Sequence, residues 1–172
     1  MRGLGVVAAA AALTACSSTN EAVNQALIEG AVGGIVAADC KIGRMTYWAA
    51  NATVPVYEIS FRIVMTNVSS KPVTLSGDNF ATTLDGTPIP PFNFSARDVG
   101  DADIWRTYDS LTIRPGEERS VALAYEISQP TYDSWYNSSC TVAVSFTCGN
   151  QRVTYTKNSR SDEITVSDIE TL

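Results

Sequence analysis

The sequence contains no histidine and only three lysines, Lys41, Lys71 and Lys157. Without histidine the chain cannot form a Ser-His-Asp or Cys-His catalytic arrangement, and it lacks the commonest side-chain ligand for zinc and copper. No glycine-rich phosphate-binding loop and no Ser-x-x-Lys spacing occur either. These absences argue against an enzyme and against a bound cofactor.

A long apolar segment is also missing, since a helix that spans a bilayer needs about 20 apolar residues. The apolar run that does occur, Gly3 to Leu13, is short, follows Arg2 and ends in small residues. A basic start, a short apolar stretch and small residues before a cleavage point are typical of a secretory signal peptide. We therefore predict that residues 1–15 form a signal peptide and that the protein is exported.

The sequence Leu13-Thr14-Ala15-Cys16, at the end of this run, resembles the lipobox of bacterial lipoproteins. In that family the cysteine receives a diacylglyceryl thioether, and the chain is cut immediately before it. The resemblance implies lipidation of Cys16 and attachment to a bacterial membrane through acyl chains such as palmitate. The protein would then face the periplasm or the cell exterior. The alternative is an ordinary signal peptide that a cysteine follows by chance.

Acidic residues outnumber basic ones, 18 Asp and Glu against 12 Lys and Arg, for a net charge of −6. An acidic chain is a poor ligand for nucleic acid and is not attracted to anionic lipid headgroups. We therefore expect no nucleic-acid partner. Contact with the membrane should depend on the lipid at Cys16 rather than on charge.

The composition predicts one globular domain behind a short tether, because 45% of the residues are hydrophobic. Residues 16–39 are the predicted lipid-anchored tether, with a short helix from Asn20 to Glu29 that glycines then interrupt. Residues 40–172 are the predicted folded domain. From Cys40 onward the hydrophobic period changes from helical to two.

The clearest strand pattern runs from Val54 to Asn67, where apolar and polar residues alternate. Cys140–Cys148 and Gln151–Lys157 are predicted to pair as a hairpin across Gly149-Asn150. Shorter strands are predicted at Lys41–Trp48, Val73–Leu75, Phe80–Leu84, Leu111–Ile113, Ser120–Ile127 and Glu163–Ser167. The proline-containing middle, Thr87 to Ser110, is predicted to be irregular. Many short strands without strong helices indicate an all-β sandwich.

Several framework segments resemble the immunoglobulin-like domain of bacterial extracytoplasmic lipoproteins and secreted antigens. They cover roughly residues 54–128 and are Tyr57–Ile63, Thr66–Val73, Gly77-Asp78-Asn79-Phe80, Leu84-Asp85-Gly86 and Leu111-x-x-x-Pro115-Gly116-Glu117. The resemblance implies an immunoglobulin-like antiparallel β-sandwich after the N-terminal helix and linker. Since the matching residues lie in turns and core positions, it transfers no catalytic residue.

Three cysteines besides Cys16 predict one disulfide and one thiol in an exported protein. Cys140 and Cys148 lie in one predicted strand, about 26 Å apart at ~3.3 Å per residue. A disulfide requires Cα atoms about 4.4–6.8 Å apart, so these two should not pair. We favour a Cys40–Cys148 disulfide, and Cys40–Cys140 stays open.

Aromatic residues concentrate in the predicted loops, where tyrosine and tryptophan suit protein recognition. The candidate partner-binding residues are Phe92, Phe94, Trp105, Tyr108, Tyr132, Trp135 and Tyr136. The alternative, which we favour for most of them, is that these side chains close the ends of the sandwich and that one or two are exposed. Either role is compatible with the predicted fold.

Clustered carboxylates at Asp98, Asp101 and Asp103 are the best metal candidate in the chain. Calcium prefers such oxygen ligands, yet this spacing differs from that of a helix-loop-helix calcium site. We interpret the segment as a solvated acidic loop and predict no metal site.

These observations predict a membrane-anchored extracytoplasmic module that binds a protein partner in the envelope or on a host, without a cofactor. The alternative is an inhibitor or immunity-type protein that blocks an enzyme through a sandwich loop. A rigid, proline-rich loop at Thr87–Phe92 would favour that alternative.

Overall fold

A computed structural model of the chain describes residues 30–91, 93–99 and 105–172. The signal peptide, Cys16 and the short helix predicted from Asn20 to Glu29 lie outside these residues. In the described part, strands dominate and one α-helix follows the ninth strand. The strands are β1 (Ile35–Tyr47), β2 (Val56–Asn67), β3 (Val73–Leu75), β4 (Phe80–Leu84), β5 (Thr87–Ile89), β6 (Asn93–Asp98), β7 (Arg106–Thr107), β8 (Leu111–Ile113), β9 (Glu118–Ile127), β10 (Thr141–Cys148), β11 (Gln151–Asn158), β12 (Thr165–Val166) and β13 (Glu170–Thr171), and the helix is α1 (Gln129–Asn137).

Two antiparallel sheets face each other, and the predicted β-sandwich is confirmed. One sheet has the order β1-β2-β9-β6-β7, and the other has the order β12-β11-β10-β4-β5, with β13 also on β11. Strands β3 and β8 form a separate two-stranded sheet. A 3-10 turn, Gly77–Asn79, leads into β4 and is capped by Ser76.

Aromatic rings from both sheets form the centre of the core. Phe61 on β2 lies 6.2 Å from Phe80 on β4 and 5.6 Å from Tyr155 on β11, measured between ring centroids. Phe80 also lies 5.1 Å from Phe146 on β10. Burial of these large side chains, each stabilising by about 1.5–3 kcal/mol, holds the two sheets together.

The first strand begins at Ile35, inside the segment that the sequence predicted as tether. Ala31, Val32 and Ile35 are buried in the core. The pairing of β1 with β2 slips by one residue between Ala38 and Lys41, which is a β-bulge. Because the bulge breaks the alternation of inward and outward residues, the sequence pattern of β1 is recognisable only beyond it.

Several elements differ from the sequence prediction. Thr87–Ile89, expected to be part of a proline-rich loop, is strand β5 and pairs with β4, and the short strands β7 and β13 were not predicted. Two further elements differ more. Asn93–Asp98, expected to be irregular, is strand β6 and pairs with both β9 and β7 inside the sheet. Gln129–Asn137, expected to be a loop, is helix α1, capped by the Ser128 hydroxyl, which accepts a hydrogen bond from the Thr131 amide. The serine cap and the proline in the first turn are helix-start signals that the sequence did contain.

Candidate binding groove on the five-stranded sheet

Strand β2 sends alternate side chains to the two faces of the five-stranded sheet. Ile59, Phe61 and Ile63 point into the core and are at most 2% exposed. Glu58, Ser60 and Arg62 therefore point to the opposite, outer face, as the strand period of two requires. This outer face is not covered by the second sheet.

The register places small residues side by side across the middle of the outer face. Ser60 lies opposite Gly43 on β1 and Ala124 on β9, and Ala124 lies opposite Asn93 on β6. In the next row, Arg62 faces Ala122, and Ala122 faces Ser95. Because most of these side chains end at or near Cβ, the outer face of the sheet is recessed here.

Larger side chains stand around this low surface and enclose a cavity of about 260 Å³, which we call the outer groove. Tyr47 and Glu58 form one end, Arg62 and Trp105 form the other, and Met45 lies along the side between them with its sulfur against Arg62. The lining residues are Met45, Tyr47, Glu58, Ser60, Arg62, Asn93, Ser95, Trp105, Ala122, Leu123 and Ala124. The groove is large enough for one long side chain or a small molecule.

Glu58 is the most unusual residue of the outer groove, because a carboxyl group is rarely buried without a partner charge. The residue is only 3% exposed. Its Oε1 atom accepts a hydrogen bond of 3.0 Å from the Tyr47 hydroxyl. Within the described part of the chain, Glu58 forms no ion pair. Burial, and secondarily the charge of Glu126 on the neighbouring strand, raises the pKa of Glu58, whereas the Tyr47 hydrogen bond opposes the shift.

Arg62 and Trp105 form the opposite end of the outer groove. The guanidinium carbon of Arg62 lies 5.5 Å from the centroid of the Trp105 ring, and that of Arg97 lies 5.1 Å away. Such cation–π contacts stabilise by about 0.5–1 kcal/mol at exposed sites. Arg62 also contacts the Met45 sulfur at 3.8 Å, and among the described residues it has no acidic partner.

One further polar atom of the groove lacks a partner. The Oδ1 atom of Asn93 is buried and accepts no hydrogen bond from any residue that the structure describes. Leaving such an acceptor unsatisfied costs about 1–3 kcal/mol. A ligand that donates a hydrogen bond to Asn93 would remove this cost.

The predicted aromatic residues do not form one surface. Phe94 and Trp135 are core residues, each 7% exposed, and Tyr108 is packed against the core; these three fit the alternative that the aromatics close the sandwich. The ring centroids of Tyr132 and Tyr57 lie 4.9 Å apart, and the Arg44 guanidinium group lies over the Tyr132 ring.

Of the predicted set, Trp105 lies in the outer groove. Phe92 and the side chain of Tyr136 lie outside what the structure describes. Sequence reasoning missed Met45, Tyr47 and Glu58 as site residues. The sequence signal that could have indicated this site was the presence of two charged residues, Glu58 and Arg62, on the polar face of an otherwise regular strand.

The cysteines do not pair, and the favoured Cys40–Cys148 disulfide is absent from the structure. Cys40, Cys140 and Cys148 are all free thiols in the described ranges. Cys40 lies in the bulge of β1, close to Tyr155. Burial raises the pKa of Tyr155, and the charge of a Cys40 thiolate raises it further. The Cys148 sulfur instead contacts the Gly33 carbonyl oxygen at 3.8 Å, and Cys140 contacts Ser134 at 3.4 Å. The three thiols therefore lie at different places along the sandwich.

The acidic loop is described only in part. Asp98 forms an ion pair with Arg119, which also contacts Glu117 at 2.7 Å. Asp101 and Asp103 lie outside the described residues. In the ranges that the structure covers, no three His, Cys, Asp or Glu side chains come together as a metal site.

Comparison with known proteins found no family and only partial structural similarity at low sequence identity. No protein-family model matches the sequence, and no curated protein matches it significantly. Among solved structures, the yjhA protein of Bacillus subtilis is similar over 66% of this chain and 73% of its own, with 16% identity and a TM-score of 0.41. An uncharacterized β-sandwich protein of Clostridium difficile is similar over 72% and 83%, with 15% identity and a TM-score of 0.42. A protein of Archaeoglobus fulgidus is similar over 77% and 95%, with 13% identity and a TM-score of 0.34.

Proposed function

We propose that this chain is a membrane-anchored extracytoplasmic lipoprotein that binds a protein partner through the outer groove. The single observation that carries the proposal is Glu58, a buried carboxyl group that lines an open groove and has no partner charge among the described residues. A buried carboxyl group with a raised pKa that lines a cleft is a candidate binding residue.

The arrangement favours binding over chemistry. Glycosidases need two carboxyl groups that flank the bond to be broken. Glu126, directly opposite Glu58 on β9, is exposed and does not line the outer groove. The groove therefore offers one carboxyl group, one guanidinium group and a floor of small residues, which suit recognition.

The lipobox resemblance supports the membrane location. Replacing Cys16 by alanine should leave the protein soluble or unprocessed, because the affinity for the membrane would come from acyl chains. Detergent phase partitioning measures this directly. Equal membrane partitioning of the variant and the unchanged protein would contradict the anchor. In the part of the chain that the structure describes, no helix is long and apolar enough to cross a bilayer.

A second candidate function, inhibition of an enzyme by loop insertion, is favoured by one observation. The tip of the β1–β2 hairpin carries Trp48 and Val54, each 66% exposed. A protruding apolar tip of this kind can enter the cleft of another protein. It lies beside Tyr47, which joins the tip to the outer groove.

Site-specific photo-crosslinking in intact cells tests both candidates. A photoreactive residue at Ser95 samples the outer groove, and one at Trp48 samples the hairpin tip. Thr156, on the outer face of the other sheet, is the control position. We expect a protein adduct from Ser95 and none from Thr156. An adduct from Trp48 alone would support the inhibitor function, and equal yields at Ser95 and Thr156 would contradict the groove.

A further inference from the structure

The charges at the two ends of the outer groove are separated, and neither forms an ion pair with a residue that the structure describes. This distinguishes the groove from an ordinary surface depression. Glu58 lies at one end, where the Tyr47 hydroxyl is its side-chain partner among the described residues. Arg62 lies at the other end against Trp105 and Met45. Since the two side chains do not neutralise each other, the groove presents an acceptor and a donor to whatever enters it.

The floor between these ends is suited to a flexible alkyl chain. Ser60, Ala122 and Ala124 leave the sheet surface recessed, Tyr47 provides apolar contact at the Glu58 end, and Met45 provides it along the side of the groove. A lysine or arginine side chain buries its methylene groups along such a surface while its charged head remains polar. The head would meet the buried carboxyl group, and a charge-assisted hydrogen bond is about twice as strong as a neutral one.

Asn93 fixes where the main chain of such a ligand would lie. It is two strands away from Glu58 and lies in the row of Ser60, two residues further along β2, which corresponds to roughly 12 Å at the usual strand spacing and rise per residue. An extended basic side chain that starts near Asn93 has the length to reach Glu58. The Asn93 Oδ1 atom is buried and unsatisfied among the described residues, and a rotation of the side chain would let it accept a hydrogen bond from a peptide N–H of the ligand.

Building on the proposed function, we infer that the outer groove recognises a lysine or arginine side chain of a basic segment in its protein partner. Glu58 binds the cationic head, Asn93 binds the adjacent peptide N–H, and Arg62 faces a carbonyl or carboxylate group of the same segment. The net charge of −6 of the whole chain adds a general attraction for a basic partner.

Titration of the isotope-labelled full chain with capped amino acids, followed by NMR, tests this inference. The probes are N-acetyl-lysine methylamide and N-acetyl-norleucine methylamide, which share a main chain and an alkyl stem but differ in charge. We expect saturable shifts of the β2 and β9 amides with the lysine probe and at least about tenfold weaker binding of norleucine. Equal binding of the two probes, or no saturable shift in the groove, would overturn the inference.

Variants of the same chain locate the effect. Glu58→Gln keeps the shape of the side chain and removes its charge, and we expect it to lower the affinity for the lysine probe about tenfold or more. Glu163→Gln removes an exposed carboxyl group near β12 and should bind as the unchanged protein does. Undiminished binding by Glu58→Gln would overturn the inference, as would binding of free methylamine as strong as that of the capped lysine.

The two proposals can fail separately. One outcome is a crosslink from Ser95 to a partner segment that contains no lysine or arginine. That result would contradict the basic ligand, but the proposed partner-binding function would still stand. Saturable binding of the lysine probe without any adduct from Ser95 in cells would contradict partner binding by the groove.

Discussion

The Tyr47 hydroxyl donates a hydrogen bond of 3.0 Å to Glu58 and covers a carboxyl group that remains otherwise unpaired among the described residues. Because burial raises the pKa of Glu58, the native state holds this proton more tightly than the unfolded state. The free energy of unfolding should therefore fall as pH rises from the ordinary glutamate pKa to the raised value, and stay reduced above it.

We accordingly expect Glu58→Gln to raise the stability at neutral pH, where the charged carboxyl group is unfavourable. Below a pH of about 4 the two proteins should be equally stable, because Glu58 is protonated in both states. Urea unfolding at the two pH values measures the difference. Glu163→Gln, at an exposed site, should show no such gain, and a loss of stability in Glu58→Gln at neutral pH would contradict the prediction.

A second prediction concerns the hydrogen bond between Thr82 and Tyr125, which joins the two sheets inside the core. The Thr82 hydroxyl donates to the Tyr125 hydroxyl at 2.6 Å, and the residues are 3% and 1% exposed. Tyr125→Phe should cost about 1–3 kcal/mol of unfolding free energy, because Thr82 loses its partner in a buried site. Thr82→Val should cost a similar amount.

The double variant separates this bond from general packing. With both hydroxyls gone, no buried polar group is left unsatisfied, so the combined cost should be clearly less than the sum of the single costs. Chemical denaturation of all four proteins provides this cycle. Strictly additive costs would mean that the two hydroxyls do not interact.

Part of this structure could be predicted from the sequence because the hydrophobic period is a local signal. The alternation along Val56–Asn67 and the turn at Gly149-Asn150 located β2 and the β10–β11 hairpin, whose register pairs Cys148 with Gln151. Strand β6 was missed because three nearby prolines outweighed its short alternation, although they lie before the strand starts at Asn93. Its place beside β9 depends on contacts distant in sequence.

The outer groove could not be predicted for the same reason. Its floor exists because Ser60, Ala124 and Asn93, which come from three strands, align in one row. Strand register is set by the whole sheet, and a bulge such as that in β1 shifts it by one residue. The sequence therefore indicated that Glu58 and Arg62 face solvent, but not what lies between them.

The start of β1 provides a third prediction. Gly33 has a φ of +58°, and a Cβ atom there would lie 2.5 Å from the Cys148 sulfur and 2.8 Å from its carbonyl oxygen. Gly33→Ala should therefore cost roughly 2 kcal/mol or more. Gly43→Ala, within β1, is the matched control, since no atom lies within 4 Å of the added Cβ, and the stability of this variant should change by less than about 1 kcal/mol. Thermal unfolding of both variants measures the two effects. A loss of stability in Gly33→Ala alone would show that the residues before Ile35 belong to the sandwich, and equal stabilities of the two variants would contradict that.

The last prediction concerns the three thiols. Burial raises the pKa of Cys40 to about 12 and also raises the pKa of Cys148, so little reactive thiolate is present at neutral pH. We expect slow labelling of both in the folded protein, and rapid labelling of Cys40, Cys140 and Cys148 once it is unfolded.

Since these cysteines are free in the structure, a reducing agent should not change the unfolding midpoint, and neither should air-exposed storage. A Cys40–Cys148 disulfide closing so long a loop would contribute about 4 kcal/mol. A large drop of the midpoint on reduction, together with a Cys40–Cys148 peptide in a non-reducing map, would show that the protein forms that disulfide.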